Sequence, residues 1–302
     1  MKFWLSLMTV PELDQLPAIA RAAEAAGFHG VMYGEHLVMP TQIKSKYPYT
    51  EDGEIFWSMD IPWPDPWIAL SIMAAATTRL HIASNIYLAA LRDPFTAAKS
   101  VGTAACFFED RVTCGGSVGW IKEEYALVDV DFHTRGKRLD EMLEVMRLLW
   151  SGEVVSHHGR FFNFDQVIMR PAPRHRPRIW VGGGSDGAMR RAARQDGWLG
   201  LPLTVEQTLP VIEKLKRMRA EQGIRPEGFS TCLSVAEPLT QGAVDRLMQA
   251  GADNISAMPW MPSPWDVQRW IDEGDDVREL KVKEKAIARF GESVIARLGA
   301  QK

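Results

Sequence analysis

Short apolar runs alternate with segments in which apolar residues recur at helical spacing, from one end of the chain to the other. The apolar runs have the length of buried strands, and the segments between them have the length of helices. Strands that alternate with helices are typical of a parallel α/β architecture. The pattern predicts eight strands, at residues 3–8, 29–33, 80–86, 111–114, 178–181, 197–200, 229–235 and 254–257.

The helices between these strands show the expected periodicity and capping residues. Residues 134–150, 204–222 and 276–298 each align apolar side chains on one face, which indicates packing against a core. Asp65 and Asp93 each stand directly before a proline, so that a capping residue precedes the first helical position.

Eight strand–helix units predict the fold class, an α/β protein built as a (β/α)8 TIM barrel. A doubly wound sheet is the competing topology, but no GxGxxG motif follows the first strand. We therefore expect a single domain over residues 1–302, with insertions after strand 2 (37–64) and before strand 5 (151–177). The first insertion is rich in aromatic residues and proline, and long loops at the active face tend to be lids or substrate walls. The second is expected to form a small β excursion.

Composition and charge exclude several classes of function. The chain of 302 residues is 46% hydrophobic and 24% charged, which is ordinary for a globular protein. A net charge of -3 argues against nucleic acid as a partner, because phosphate backbones require a basic face. No apolar run approaches the ~20 residues that span a bilayer, and the three cysteines form no CxxC pair. We expect a cytoplasmic protein that binds neither nucleic acid nor membranes.

Three consecutive glycines follow the predicted fifth strand. Gly182, Gly183 and Gly184 allow backbone amides to approach an anion closely, and Ser185 can cap the helix whose N-terminus then faces that anion. A tight turn that needs glycine is the alternative interpretation. Because the carboxyl ends of barrel strands form the catalytic rim, this position favours phosphate binding over a plain turn.

Other polar and small residues stand at the predicted strand exits of the same rim. Glu35 and His36 follow the second strand, and a histidine there can donate a hydrogen bond or move a proton near neutral pH. Asn85 lies at the end of the third strand and can present its amide to a polar ring edge. Gly115 and Gly116 follow the fourth strand, where a planar ligand can lie.

The sequence contains no pattern for a metal site or an activated nucleophile. Its seven histidines include no HxH at a strand end and no HExxH, and its carboxylates are scattered over the helices. The GxSxG elbow of serine hydrolases is also absent. His81 begins the third strand, at the end of the barrel opposite the rim, so we assign it no role in catalysis.

The residues at the strand exits belong to a series of longer segments. These segments are Ala26-Gly27-Phe28, Gly34-Glu35-His36, Leu91-Arg92-Asp93-Pro94-Phe95, Gly119-Trp120-Ile121-Lys122-Glu123-Glu124-Tyr125, Phe132 with Arg135-Gly136-Lys137-Arg138-Leu139-Asp140-Glu141, Leu149-Trp150-Ser151-Gly152, Ile179-Trp180-Val181-Gly182-Gly183 and Asp196-Gly197-Trp198. In this order they resemble the bacterial luciferase-like family, which includes flavin monooxygenases and oxidoreductases that depend on coenzyme F420. The similarity covers roughly residues 1–222.

The resemblance implies a barrel that holds a flavin or deazaflavin ring in its mouth and the cofactor phosphate on glycine-rich loops. It implies that His36 lies beside the ring and that Ser84, Asn85 and Ile86 lie behind it. It also implies a non-proline cis peptide bond, which we place at Asn85-Ile86. Trp120 stands near the position of the strand-four carboxylates of F420-dependent sugar-phosphate dehydrogenases, which argues against such a substrate.

Three functions are compatible with the resemblance. The first is an oxidoreductase that uses coenzyme F420 for hydride transfer to or from a small organic substrate, with His36 or Glu35 managing a proton. The second is an FMNH2-dependent two-component monooxygenase that needs a flavin reductase as partner. The third is a non-catalytic flavin-binding protein, which a plugged barrel mouth would support. We favour the first because the segments 135–141 and 180–183 resemble the F420-dependent branch.

Tryptophans near the predicted rim suggest how the substrate is bound. Trp57, Trp63 and Trp67 indicate an apolar or planar wall, and Trp120 is expected to contact the substrate as well. Members of the family often form dimers, so the resemblance also implies a homodimer.

Overall fold

The computed structural model describes residues 1–8, 10–261 and 270–299. Its strands are β1 (Lys2–Ser6), β2 (Gly30–Tyr33), β3 (His81–Ser84), β4 (Val112–Gly116), β5 (Val155–His158), β6 (Asn163–Val167), β7 (Arg178–Gly182), β8 (Gly197–Leu203), β9 (Ser230–Val235) and β10 (Asn254–Ala257). All of them except β5 and β6 pair in parallel in one closed barrel, in the order β1-β10-β9-β8-β7-β4-β3-β2. The predicted (β/α)8 barrel is confirmed.

A layer of helices surrounds the barrel. These helices are α1 (Leu16–Ala25), α2 (Pro66–Ala75), α3 (Pro94–Phe108), α4 (Lys122–Leu127), α5 (Arg135–Trp150), α6 (Asp186–Ala193), α7 (Val205–Glu221), α8 (Gln241–Gln249), α9 (Leu280–Phe290) and α10 (Ala296–Leu298). A π-helical turn joins α9 to α10, so the predicted helix over 276–298 is shorter and interrupted. In the part of the chain described here, no helix is both long and apolar enough to cross a membrane.

The predicted capping residues begin their helices as expected. Asp65 Oδ1 accepts hydrogen bonds from the amides of Trp67 at 2.9 Å and Ile68 at 3.1 Å. Asp93 Oδ1 accepts from the amide of Thr96 at 2.8 Å. Each carboxylate satisfies amides that have no partner within the helix. The start of α2 and the start of α3 are therefore fixed by local sequence.

The two predicted insertions differ in structure. The segment 151–177 contains β5 and β6, which form an antiparallel hairpin, so the predicted β excursion is confirmed. The segment 37–64 contains neither helix nor strand. Its shape therefore depends on side-chain packing and on hydrogen bonds from neighbouring elements.

Three barrel strands end at positions that the hydrophobic pattern does not reveal. β3 stops at Ser84 because the chain leaves the ladder at Asn85 and rejoins it only as an isolated bridge between Tyr87 and Gly116. β4 runs on to Gly116, beyond the predicted end of the strand. β8 extends to Leu203, with an irregular register where it pairs with β9.

Side chains fill part of the barrel interior. The buried cluster inside the barrel consists of Trp4, Met32, Ala83, Trp180, Leu199 and Cys232. The indole Nε1 of Trp4 donates to Asn254 Oδ1 at 2.8 Å. The Trp180 ring fits because residue 197 is glycine, since a Cβ there would lie 2.7 Å from Trp180 Nε1. Open space in the barrel is found at the two ends of this cluster, at the carboxyl ends and at the amino ends of the strands.

Candidate functional site

A cavity of about 330 Å³ opens at the carboxyl ends of the barrel strands. This volume lies within the range of roughly 300–1,000 Å³ that small-molecule sites occupy. Several predicted site residues line it, namely Glu35, His36, Asn85, Ile86, Gly182, Gly183, Trp57, Trp63 and Trp120. The structure therefore brings together residues from four strand exits and from the 37–64 insertion.

His36 is held at the cavity by a buried carboxylate. Its Nδ1 lies 3.3 Å from Glu124 Oε2, and Glu124 is 1% exposed. The other oxygen of that carboxylate, Oε1, accepts from the amides of Leu37 at 2.6 Å and Val38 at 3.3 Å. Glu124 therefore fixes both the imidazole ring and the backbone that follows it.

Glu35 makes a second buried ion pair beside the first. Its two oxygens contact Arg92 Nη2 at 2.6 Å and Arg92 Nη1 at 2.9 Å, and Oε1 also accepts from the amide of Leu88 at 2.7 Å. Burial raises the pKa of the Glu35 carboxyl, and the Arg92 guanidinium opposes that effect. Both oxygens are engaged by protein donors, so the carboxylate ties the β2 exit to the segment after β3.

Aromatic rings form one wall of the cavity. Trp57 contacts Tyr47, Trp63 and Trp120 with ring centroids 5.1, 5.8 and 6.5 Å away, all in edge-to-face arrangements. The ring of Trp63 stands edge-on to His36, with centroids 5.0 Å apart. Burial raises the pKa of Tyr47 to about 12, so its hydroxyl is neutral at physiological pH. The wall is apolar and uncharged.

The floor of the cavity is made of small residues around one unusual peptide bond. The Asn85-Ile86 bond is cis, as the family resemblance implied. A Cβ added at Gly34 would lie 2.6 Å from the Asn85 carbonyl oxygen, so only glycine permits this approach of the two strand exits. Gly183 has a φ of +115°, a backbone conformation that side chains other than glycine rarely adopt.

Other predicted cofactor residues lie close to the cavity without lining it. Ser84 is fully buried, and its hydroxyl donates to the carbonyl of Gly115 at 3.0 Å while accepting from the Gly115 amide at 2.9 Å. Gly116 pairs with Tyr87 through the isolated bridge. The pair of Ser84 and Gly115 thus fixes the relative position of β3 and β4 next to the cis peptide.

The glycine segment after β7 continues from the cavity to the start of α6. Gly184 lies beside Leu201, and Ser185 caps α6 by accepting from the amide of Ala188 at 3.2 Å, as predicted. Trp67, by contrast, is a buried residue of α2 that packs against Tyr87, with ring centroids 5.8 Å apart. Its position there is outside the cavity lining.

The described residues contain no group of three or more histidine, cysteine, aspartate or glutamate side chains that could hold a metal ion. His81 lies at the amino-terminal end of the barrel, where it lines a separate cavity with His29. The position of His81 agrees with the expectation from the sequence.

The sequence analysis assigned no role to several residues that shape the site. Glu124 and Arg92 were part of matched segments but were not identified as partners of His36 and Glu35. Tyr47 and Ser117 line the cavity as well. The aromatic richness of the 37–64 insertion was the available signal for Tyr47, whereas the two acid–base pairs join residues far apart in sequence.

Comparisons with known proteins agree with this architecture. The model of the luciferase-like monooxygenase family matches residues 1–281. An uncharacterized protein of Mycobacterium tuberculosis (strain ATCC 25618 / H37Rv) is 32% identical over 281 residues, which cover 93% of this chain and 94% of that protein.

Two relatives with named activities use different cofactors. The F420-dependent hydroxymycolic acid dehydrogenase of Mycobacterium tuberculosis (strain ATCC 25618 / H37Rv) is 28% identical over 190 residues, covering 62% of this chain and 48% of the dehydrogenase. The FMNH2-dependent dimethylsulfone monooxygenase of Pseudomonas fluorescens (strain Pf0-1) is 28% identical over 189 residues, covering 62% of this chain and 47% of the monooxygenase. Matches of this extent support a flavin-type cofactor without selecting one.

Solved structures share the fold over the whole chain. The monooxygenase RslO1 from Streptomyces bottropensis has a TM-score of 0.73 and 16% identity, covering 98% of this chain and 99% of its own. The coenzyme F420-dependent tetrahydromethanopterin reductase from Methanopyrus kandleri has a TM-score of 0.72 and 12% identity, with the same coverage. At these identities the likeness shows the barrel fold alone.

Proposed function

Because the chain belongs to the luciferase-like monooxygenase family, we propose that it is an oxidoreductase that binds coenzyme F420 in the barrel cavity and acts on a small uncharged organic substrate. The observation that carries the proposal is the union, in one cavity, of a glycine floor, a histidine with a buried carboxylate partner and an aromatic wall. Bound F420 would supply hydride chemistry. The protein would supply orientation and a proton.

The residues on the floor fit a planar ring with a phosphate tail. A Cβ at Gly182 would lie 3.3 Å from Ile86 Cγ2 and 3.7 Å from Ser117 Cβ, so a larger side chain would fill the space on the cavity floor between these residues. No hydrogen bond engages the amides of Gly184 and Ser185 within the described residues, and these amides stand at the N-terminus of α6. Such amides and the helix dipole attract an anion. We propose that Asn85, Ile86, Gly182 and Gly183 contact the cofactor and that Ser84, Gly115 and Gly116 support them.

His36 is the residue we propose for proton transfer. If the substrate is an alcohol, bound F420 would supply the hydride acceptor and Nε2 of His36 would accept the hydroxyl proton. In the reverse direction, the reduced cofactor would supply the hydride and His36 would donate the proton to the carbonyl oxygen. Glu35 is assigned a structural role instead, because Arg92 and the Leu88 amide already engage its oxygens.

The lining of the cavity favours an uncharged, apolar or planar substrate. Among the described lining residues, Glu35 is the sole carboxylate, and no lysine or arginine is present. Trp57, Trp63 and Trp120 present the aromatic wall to this space. A charged substrate would lose its hydration without gaining an ion pair. A small cyclic ketone, cyclohexanone, is therefore a suitable probe.

An FMNH2-dependent two-component monooxygenase is the second candidate, supported by the similarity to the dimethylsulfone monooxygenase. It would require a flavin reductase partner, and the same cavity would hold FMN. A non-catalytic flavin-binding protein is the third. The open cavity of about 330 Å³ speaks against it, because a plugged mouth was the feature that would support it.

Titration of the protein with F420 and with FMN separates these candidates. Binding stabilises the folded state by about 2.7 kcal/mol at 100 Kd, so the true cofactor raises the melting temperature. We expect F420 to give this response, and a response to FMN alone would overturn the choice of cofactor. Gly182→Val should abolish the rise in melting temperature because the valine side chain fills the space on the cavity floor. Gly187→Ala is the matched control, since nothing lies within 4 Å of a Cβ there.

Cyclohexanone then reports the reaction type. With reduced F420 the proposed function yields cyclohexanol, whereas reduced FMN and oxygen yield a lactone if the protein is a monooxygenase. Product identification by mass spectrometry distinguishes the two.

We propose that the protein is one domain over residues 1–302, acts as a cytoplasmic homodimer and pairs through α2 and α3. These helices pack together and expose Ile68, Ile72, Phe95 and Phe107. Burying such side chains favours association. Light scattering should give twice the chain mass for the wild type and the chain mass for Ile68→Lys. A wild type that scatters as a monomer would exclude the homodimer.

A further inference from the structure

The contacts of Glu124 are divided between its two oxygens in a specific way. Oε1 accepts from two consecutive backbone amides, those of Leu37 and Val38, while Oε2 faces His36 Nδ1 at 3.3 Å. The side chain is 2% exposed. Among the described residues its ion-pair partner is His36, with no lysine or arginine at that distance. This carboxylate therefore has one protein group, the imidazole, with which to share charge.

The arrangement determines which nitrogen of His36 carries a proton. An ionised carboxylate only accepts hydrogen bonds, so Nδ1 must be the donor. In a neutral imidazole the lone pair is then on Nε2. The amides of Leu37 and Val38 both occupy Oε1, so Oε2 is the oxygen left to accept from Nδ1 of His36.

The remaining nitrogen is the one available to a ligand. His36 lines the cavity, and its single hydrogen bond among the described residues is the one from Nδ1. Edge-on contact with Trp63 and a tilted contact with Trp57 restrict rotation of the ring. A histidine so held can receive a proton on Nε2 and share the resulting charge with a fixed carboxylate.

We propose that Glu124 is a positioning residue that holds His36 as the Nδ1–H tautomer with Nε2 facing the substrate, and that stabilises the imidazolium formed during turnover. The kinetic part of this inference rests on the proposed oxidoreductase function. The part about the tautomer does not, because it concerns the protein without any ligand.

The neighbouring residue provides a matched control. Glu123 also uses its carboxylate to hold the 37–64 insertion, accepting from the amide of Lys44 at 2.9 Å and from the hydroxyl of Ser45 at 2.7 Å. It makes no contact with His36. Glu123→Gln therefore removes the same charge from the same helical turn and tests loop anchoring alone.

The first experiment reads the tautomer directly by ¹⁵N NMR of the His36 ring. Glu124→Gln keeps the volume, but the amides of Leu37 and Val38 direct its carbonyl oxygen toward themselves, so its NH2 group faces Nδ1. Nδ1 must then accept, and the proton moves to Nε2. We expect Nδ1–H in the wild type and in Glu123→Gln, and Nε2–H in Glu124→Gln. An Nε2–H wild type, or no change in Glu124→Gln, would overturn the inference.

The second experiment measures turnover of cyclohexanone with the cofactor identified by titration. Positioned acid–base groups contribute about 100-fold or more, so Glu124→Gln should lower kcat about 100-fold with KM nearly unchanged. In a His36→Ala background the same change should have no further effect, because the two residues act as a unit. Glu124→Asp should recover part of the rate.

Two results distinguish the failure of this inference from the failure of the proposed function. Independent, multiplicative losses in the double variant would show that Glu124 acts without His36. A wild type that binds no cofactor and turns over no ketone would reject the proposed function, and the NMR result would still decide the tautomer. Equal melting temperatures for Glu124→Gln and Glu123→Gln would show that both variants fold.

Discussion

Both ends of the barrel carry histidines beside a cavity, yet the two environments differ in charge. At the carboxyl end His36 faces the carboxylate of Glu124 in a cavity of about 330 Å³. At the amino end His29 and His81 stack on each other with ring centroids 4.2 Å apart, in a cavity of about 350 Å³. Cavity size therefore does not distinguish the histidine that we propose for proton transfer from the two that pack at the amino end.

The charged groups around each imidazole ring distinguish the two ends of the barrel. Burial, together with the smaller effects of His81, Lys2 and Arg178, lowers the pKa of His29 to about 3. Burial, together with the smaller effects of Lys2, Arg111 and Arg178, lowers the pKa of His81 to about 4. These rings stay neutral and pack against Trp4, whereas the ring of His36 contacts the carboxylate of Glu124.

Removing the cation beside Glu35 should have the largest effect on stability. Arg92→Met leaves a buried carboxylate without its partner, a change that costs about 3–5 kcal/mol of unfolding free energy. Arg178→Met, at the amino end, removes an exposed guanidinium that has no ion pair among the described residues, and should cost less than about 0.5 kcal/mol. Urea unfolding midpoints at constant m-value report both. Equal midpoints for the two variants would contradict the assigned importance of the Glu35–Arg92 pair.

Removing a histidine from each end should separate catalysis from packing. His36→Ala should lower turnover of cyclohexanone about 100-fold, because it deletes the proposed acid–base group, while binding of the cofactor changes little. His81→Ala should leave turnover within about twofold, since its ring lines a separate cavity from the one proposed to hold the cofactor. Comparable losses in both variants would show that His36 acts through the fold.

The amino-end histidines should make stability depend on pH in a defined window. Their folded pKa values, about 3 and about 4, lie below the ordinary value of 6.5, so the unfolded chain binds more protons between those limits. Stability is complete above pH 6.5 and falls as the pH is lowered toward 4. Replacing His81 with Gln should reduce the slope in that window, by at most about one proton. An unchanged slope of unfolding free energy against pH would exclude the ring as a contributor.

The barrel could be predicted because each strand is a short apolar run that is recognisable from its own sequence, and capped helices separate these runs. The residues at which the strands end could not be predicted, because they depend on hydrogen bonding to the neighbouring strand. β3 stops at Ser84 where the chain turns into the cavity floor, and β4 continues to Gly116 because that residue pairs with Val181 of β7. The hydrophobic periodicity of a single segment does not reveal where its pairing with another strand ends.

The residues of the candidate site also divide into those that the sequence indicated and those that only the fold brings together. His36 and the tryptophans were identified from their positions near strand exits, and the cis bond at Asn85-Ile86 from the family resemblance. Glu124 was missed because it looks like an ordinary acidic residue in the first turn of a helix, and its partner is 88 positions away. Pairs of this kind exist only after the barrel has brought α4 next to the exit of β2.

The closure of the barrel has a consequence for how the chain is made. β1 pairs with β10, and the bond between Trp4 and Asn254 spans 250 positions. Until the ribosome has released the last strand, β1 and the growing edge of the sheet present unpaired backbone groups that favour aggregation. The ring can close only after synthesis of nearly all of its residues, and pairing over so long a separation is slow because it must overcome the entropy of loop closure. Nascent chains of this protein should therefore depend on chaperones that shield sheet edges.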